Sequence, residues 1–145
     1  MSSPVTCYCG SPMLLRMGKY RLEYVCRRTP MCDGMISADP CGNPRGMPAD
    51  SHTRHLRQMV HALLDKEWLG ADRRGRYERR TAAYQRLSFM MGLSAEECHV
   101  GLFDAKQCRQ AIAHLRNHER NWRGQNALTA GEESLLRWMD RVCGA

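Results

Sequence analysis

The chain is 145 residues long and carries a formal net charge of +7, from 22 Lys and Arg against 15 Asp and Glu. That length suits about one ordinary domain, and no stretch approaches the roughly 18 apolar residues of a membrane-spanning helix. The opening MSSPVTCYCG has neither the basic nor the apolar region of a secretory signal, so the expected setting is a reducing cytoplasm with no membrane partner.

The cysteines are unevenly placed. Cys7, Cys9, Cys26, Cys32 and Cys41 all fall in the first 41 residues, five of the eight in the chain. A segment of about 40 residues rarely buries enough apolar surface to fold alone, so this stretch needs a metal or disulfides. Within it, Met13, Leu14 and Leu15 form a short apolar run, and Gly18-Lys19 is a turn signal. Tyr20, Leu22 and Tyr24 then alternate with Arg21 and Glu23, the period of a half-buried strand. The expectation is a hairpin between Cys9 and Cys26.

Asp39-Pro40 through Pro48 is too rich in Gly and Pro for a helix or a central strand. It reads as a linker over 42–50, between a module at 1–41 and a helical domain at 51–145. The first helix begins near Ser51, with Leu56, Met59, Val60, Leu63, Leu64 and Trp68 on one face. After a break at Leu69–Asp72, a second helix is expected from about Tyr77 to Met91, with Tyr77, Thr81, Tyr84, Leu87 and Met91 inside. Ser94 and Glu97 form a capping box for a short helical turn. Asp104, with Gln107 three residues on, caps a longer helix to about Trp122. Thr129 and Glu132 open a last helix to about Val142, with Leu135, Leu136, Met139 and Val142 inside. The fold class is α+β, mainly α: a zinc-ribbon-like β-hairpin module followed by a small bundle of about four helices.

The zinc assignment rests on the cysteines. A structural zinc ion takes four thiolate or imidazole ligands in a tetrahedron, and two close pairs separated by a hairpin supply that geometry. The pairs are Cys7/Cys9 and Cys26/Cys32, spaced C-x-C and C-x5-C, with Gly10 allowing the turn after Cys9. Free thiols or a disulfide are the alternative, and Cys41 is the reserve ligand. Arg16, Lys19 and Arg21 lie near the hairpin tip. Tyr20 and Tyr24 serve either to stack on bases or to pack the core.

GNPRGMPADSHTRHLR (42–57), HALLDKEW (61–68) and ECHVGLFDAKQC (97–108) resemble successive motifs of a small zinc-finger-containing domain family of unknown function, widespread in phages, prophages and other bacterial mobile elements. The resemblance spans about residues 7 to 113. It implies a zinc site, a bacterial or phage cytosolic setting and an accessory role. The family usually opens with C-x-x-C, so the C-x-C here is a departure.

His61, Cys98, His99 and Cys108 either form a second metal site or pack as a buried histidine beside apolar thiols. A Cys/His nucleophilic dyad is formally available, but no orienting group or oxyanion hole accompanies it, and the expectation is no enzyme and no small-molecule substrate. His114 and His118 have metal-capable spacing without an acidic companion and read as a solvated face.

Arginine concentrates in two places. Arg73, Arg74, Arg76, Arg79, Arg80 and Arg86, opposed only by Glu78, do not form one stripe at helical spacing, although Arg76, Arg79 and Arg86 cluster. Arg109, Arg116, Arg120 and Arg123 fall within an arc of roughly 60° beside an apolar stripe. Those four, with Arg76 and Arg79, are the candidate surface for nucleic-acid phosphates. The alternative partner is an acidic host or phage protein, as for a phage inhibitor of a host defence or replication protein; a solvated basic face is the third reading.

Overall fold

A computed structural model of the chain describes residues 4–125, 137–139 and 141. Three short strands come first: β1 (Met13–Met17), β2 (Leu22–Cys26) and β3 (Met35–Ser37), antiparallel in the order β1-β2-β3. Helices α1 (Ser51–Asp65), α2 (Arg73–Met91) and α3 (Ala105–Gln125) follow, with a single 3-10 turn at Val100–Leu102.

The expected hairpin is present, with Met13 opposite Cys26 and Met17 opposite Leu22. Strand β3 was not foreseen, because three residues are too few for a period to show. It pairs Tyr24 with Ile36 and Val25 with Met35. Tyr24 is half-buried and donates its hydroxyl to the Gly42 carbonyl at 2.6 Å, whereas Tyr20 is 82% exposed. The packing reading therefore holds for Tyr24 and fails for Tyr20, which sits at the hairpin tip, beyond the sheet.

Helix α1 begins where expected. Asp50 accepts from the Thr53 N–H at 2.8 Å, and that bond holds its carboxyl below the usual carboxylate range. Helix α2 starts earlier than expected, because Asp72 caps it through the Gly75 N–H at 2.7 Å. Its inner face also differs. Tyr77 and Thr81 are exposed; the buried positions are Ala83 and Leu87, with Tyr84 and Met91 partly covered. Burial begins only at the second half of the helix, and Tyr84 stacks on Trp68 with centroids 6.5 Å apart. Ser94 and Glu97 close a turn, not a helix. Asp104 and Gln107 form a reciprocal capping box, the Gln107 N–H donating at 2.7 Å and the Asp104 N–H at 3.0 Å. Residues 126–136 and Val142 lie outside the described residues, so of the last predicted helix only 137–139 and 141 are described; they are helical, and Met139 is buried.

The helical core gathers Leu56, Met59, Val60, Leu63 and Leu64 of α1 with Leu87, Val100, Phe103, Cys108, Ala111, Ile112 and Leu115. Phe103 lies fully buried at its centre. Each such side chain contributes about 1.5–3 kcal/mol by leaving water.

Residues 42–50 are hydrogen-bonded on both sides. Arg45 N–H donates to the Ser37 carbonyl at 2.9 Å, and Met35 and Ala49 exchange bonds at 3.1 and 3.2 Å. On the helical side, Met47 N–H donates to the Gly101 carbonyl at 2.8 Å. The guanidinium of Arg57, buried on α1, donates to the carbonyls of Phe103 (2.9 Å) and Met47 (2.8 Å). Gly46 faces Gly101 so closely that a Cβ would collide with the Gly101 carbonyl oxygen.

Gly46→Ala is expected to lower unfolding free energy by about 1–3 kcal/mol, since the colliding atom is backbone and cannot rotate away. Urea denaturation at fixed zinc concentration measures it.

Candidate metal centre

The quartet is assembled by two local turns. On the first, the Gly10 N–H donates to the Cys7 carbonyl at 2.9 Å, and the Cys7 N–H to the Ser11 carbonyl at 2.9 Å. Gly10 has φ +90° and open space where a Cβ would be, so the turn needs glycine for its left-handed backbone and not for close approach. On the second, Thr29 N–H and hydroxyl both bond the Cys26 carbonyl, and Arg28 N–H points at the Cys26 sulfur at 3.5 Å. The cis Thr29-Pro30 bond lies within this loop.

The hairpin register then brings the turns together. Cys7 Sγ lies 3.8 Å from Cys32 Sγ, Cys9 Sγ lies 3.6 Å from Cys26 Sγ, and all four sulfurs fall within 4.8 Å of one another. A tetrahedron of sulfurs about 2.3 Å from a central zinc has edges of about 3.8 Å. The donor set and its spacing thus fit one zinc ion held by Cys7, Cys9, Cys26 and Cys32. Zinc held this way is a structural ion that supplies folding free energy.

Electrostatics within the cluster are uneven. Burial pushes the Cys7 thiol up to about 12 and raises Cys26 as well. Cys9, on the exposed side, is brought down to about 6 by the Ser11 hydroxyl and backbone N–H.

Two residues beside the quartet escaped sequence reasoning. Gly34 packs so tightly on the site that a Cβ would collide with Cys7 Sγ. Asp33 follows Cys32 directly; one carboxylate oxygen accepts the Tyr8 hydroxyl at 2.8 Å and the other the Ser51 N–H at 2.9 Å. Those bonds, the Ser51 N–H first, hold its carboxyl below the ordinary range. Its backbone carbonyl takes Arg54 Nη2 at 3.0 Å. The only sequence-level hint was adjacency to a ligand.

Cys41, the reserve ligand, is exposed and apart from the cluster, its N–H bonded to Asp39. Among the described residues, no second group of metal-capable side chains gathers. Cys98 and Cys108 are buried in the helical core, and burial pushes the Cys108 thiol up to about 11. His99 Nδ1 accepts the Gly101 N–H at 3.2 Å. His61 lines an open cleft, and desolvation lowers its pKa. His118 lies 3.5 Å from Glu67, which also pairs with Arg86, so neither Arg86 nor His118 belongs to a purely solvated face.

Arg109 and Arg120 are exposed on α3, with Arg116 half-buried between them; Arg123 lies on the same helix. Arg76 and Arg79 are exposed on α2. The structure does not bring these two sets to the quartet.

A three-stranded sheet stapled by four cysteine sulfurs ahead of a helical body defines a zinc-ribbon-type protein. The chain belongs to a family described as a zinc-finger-containing domain, whose model matches residues 3–118. No curated protein and no solved structure matches it.

The full-length chain is expected to retain one equivalent of zinc through exhaustive dialysis, and Cys26→Ser to lose it, as read by metal analysis. Gly34→Ala is expected to lower zinc retention although it removes no ligand.

Proposed function

We propose that the protein is a non-enzymatic accessory protein of phage or mobile-element type, acting in the bacterial cytoplasm, that binds nucleic acid through arginine-rich surface. The observation that carries this reading is the surplus of exposed guanidinium groups on the helices. Arg109 and Arg120 project from α3, and Arg73, Arg74, Arg76, Arg79 and Arg80 are all exposed along the first half of α2. Among the described residues, only Arg74 of these pairs with an acid, Glu78, and Arg80 lies over the Tyr84 ring. Arginine forks suit phosphate oxygens, and contacts of this kind are largely independent of sequence. The zinc module then serves as a staple. Packing of Cys98 and Cys108 as buried apolar groups supports the absence of thiol catalysis.

A second reading, a protein-binding modulator such as an inhibitor of a host defence or replication protein, draws on a different feature. Strand β1 is an edge of the sheet and exposes Leu14, Leu15 and Met17, a surface onto which a partner strand could add.

Labelled DNA should bind at low ionic strength with log affinity falling linearly against log salt, by about 0.7–0.9 for each phosphate neutralised. The Arg109→Glu/Arg120→Glu pair should weaken binding about tenfold or more. Absent or salt-independent binding contradicts the nucleic-acid reading. A stoichiometric protein partner that survives nuclease treatment favours the second.

A further inference from the structure

One concavity lies neither at the zinc site nor on α3. It is an open cleft of about 1050 Å³ between the β2–β3 face with its hairpin tip and helix α1 with the turn at His99–Gly101. That volume is at the upper limit of small-molecule pockets, about 300–1,000 Å³, and is roomy enough for a segment of a polymer.

Its lining is cationic. Lys19, Arg21, Arg45, Arg54 and Arg57 border it, against two carboxylates, Glu23 and Asp39. Both acids are engaged elsewhere. Glu23 pairs with Arg16 at 3.6 Å, and Asp39 accepts the backbone N–H groups of Cys41 and Asn43 at 2.9 Å each. Arg57 is the unusual member. It is only 8% exposed, its guanidinium is spent on two backbone carbonyls, and it forms no ion pair among the described residues. Arg57 adds positive charge to the cleft wall, with Asp104 and Asp50 the acids that act on it through space.

The cleft also has a stacking surface. Tyr20 lines it at the hairpin tip and is 82% exposed, with Lys19 Nζ 5.2 Å from the ring centroid. An exposed aromatic beside guanidinium groups matches the way proteins hold unpaired strands: cations track the phosphates while a ring takes a base face. Duplexes hide their base faces and offer nothing to such a ring.

We propose that this cleft seats a segment of single-stranded nucleic acid, with phosphates at Arg21 and Arg45 and a base on Tyr20. The proposal rests on the nucleic-acid reading and gives it a strand class and a seat apart from the α3 face. Arg57 and the zinc staple hold the two walls.

The test is fluorescence anisotropy with the zinc-loaded full chain, using a labelled oligothymidylate of about 12 nucleotides, within the usual site sizes, and a duplex of equal length. The single strand should bind more tightly. Arg21→Glu/Arg45→Glu, at two exposed positions outside the core and the quartet, should weaken it about tenfold or more. Tyr20→Ala should cost about fivefold or more, as stacking contributions imply, with Tyr20→Phe retaining most of the affinity. Unchanged zinc content and circular dichroism show that the variants fold. If these variants bind like the parent while Arg109→Glu/Arg120→Glu fails, the cleft is overturned and nucleic-acid binding stands. Preference for duplex overturns the strand class alone. If the parent binds neither DNA, or binds polyglutamate instead, both readings fall.

Discussion

Four sulfurs that must converge on one ion are the constraint from which the rest of this structure follows. Three strands of five, five and three residues cannot hold a sheet by their own apolar contacts, and β1 leaves most of its side chains in water. Closing Cys7 and Cys9 on Cys26 and Cys32 fixes the end of that sheet opposite the hairpin tip, with binding free energy of the order of 10–16 kcal/mol available from a structural zinc site. The consequence runs onward through the next residue. Asp33, positioned by Cys32, takes the Ser51 N–H and so sets where α1 begins. Metal site and helical body are thus joined by one carboxylate spanning the 18 residues between Asp33 and Ser51.

A second joint brings together segments far apart in the chain. The segment around Gly46 and Met47 lies against Gly101, and both are gripped by Arg57 through carbonyls of Met47 and Phe103. Glycine at both 46 and 101 permits a backbone approach that no side chain would allow. A guanidinium is suited to this place, because its rigid fork satisfies two buried carbonyls at once and cannot lose its charge. That same charge lies beside a cleft that Lys19, Arg21, Arg45 and Arg54 also line.

How much of this was legible depends on range. The cysteine pairs, the hairpin and the α1 face could be read because each is a local pattern of spacing. The cap at Asp104 was equally local. Strand β3 was not, being too short for alternation, and the exposure of Tyr77 and Thr81 was hidden because periodicity shows which residues share a face but not how far along a helix its neighbours reach. Gly34 and Gly46 could not be recognised from the sequence: what they touch is Cys7 and Gly101, 27 and 55 residues away. Charge counting likewise showed a basic chain without showing that Arg86 and Lys66 are tied to Glu67 and Glu119, while Arg21 and Arg45 border an open cleft.

The sheet, the start of α1 and the packing beside them all depend on the metal centre being a tetrathiolate. X-ray absorption at the zinc edge of the full-length protein tests that claim most directly. Four sulfur neighbours at about 2.3 Å, with no nitrogen or oxygen in the inner shell, are the predicted result. A mixed shell containing imidazole nitrogen, or fewer than four sulfurs, would contradict it.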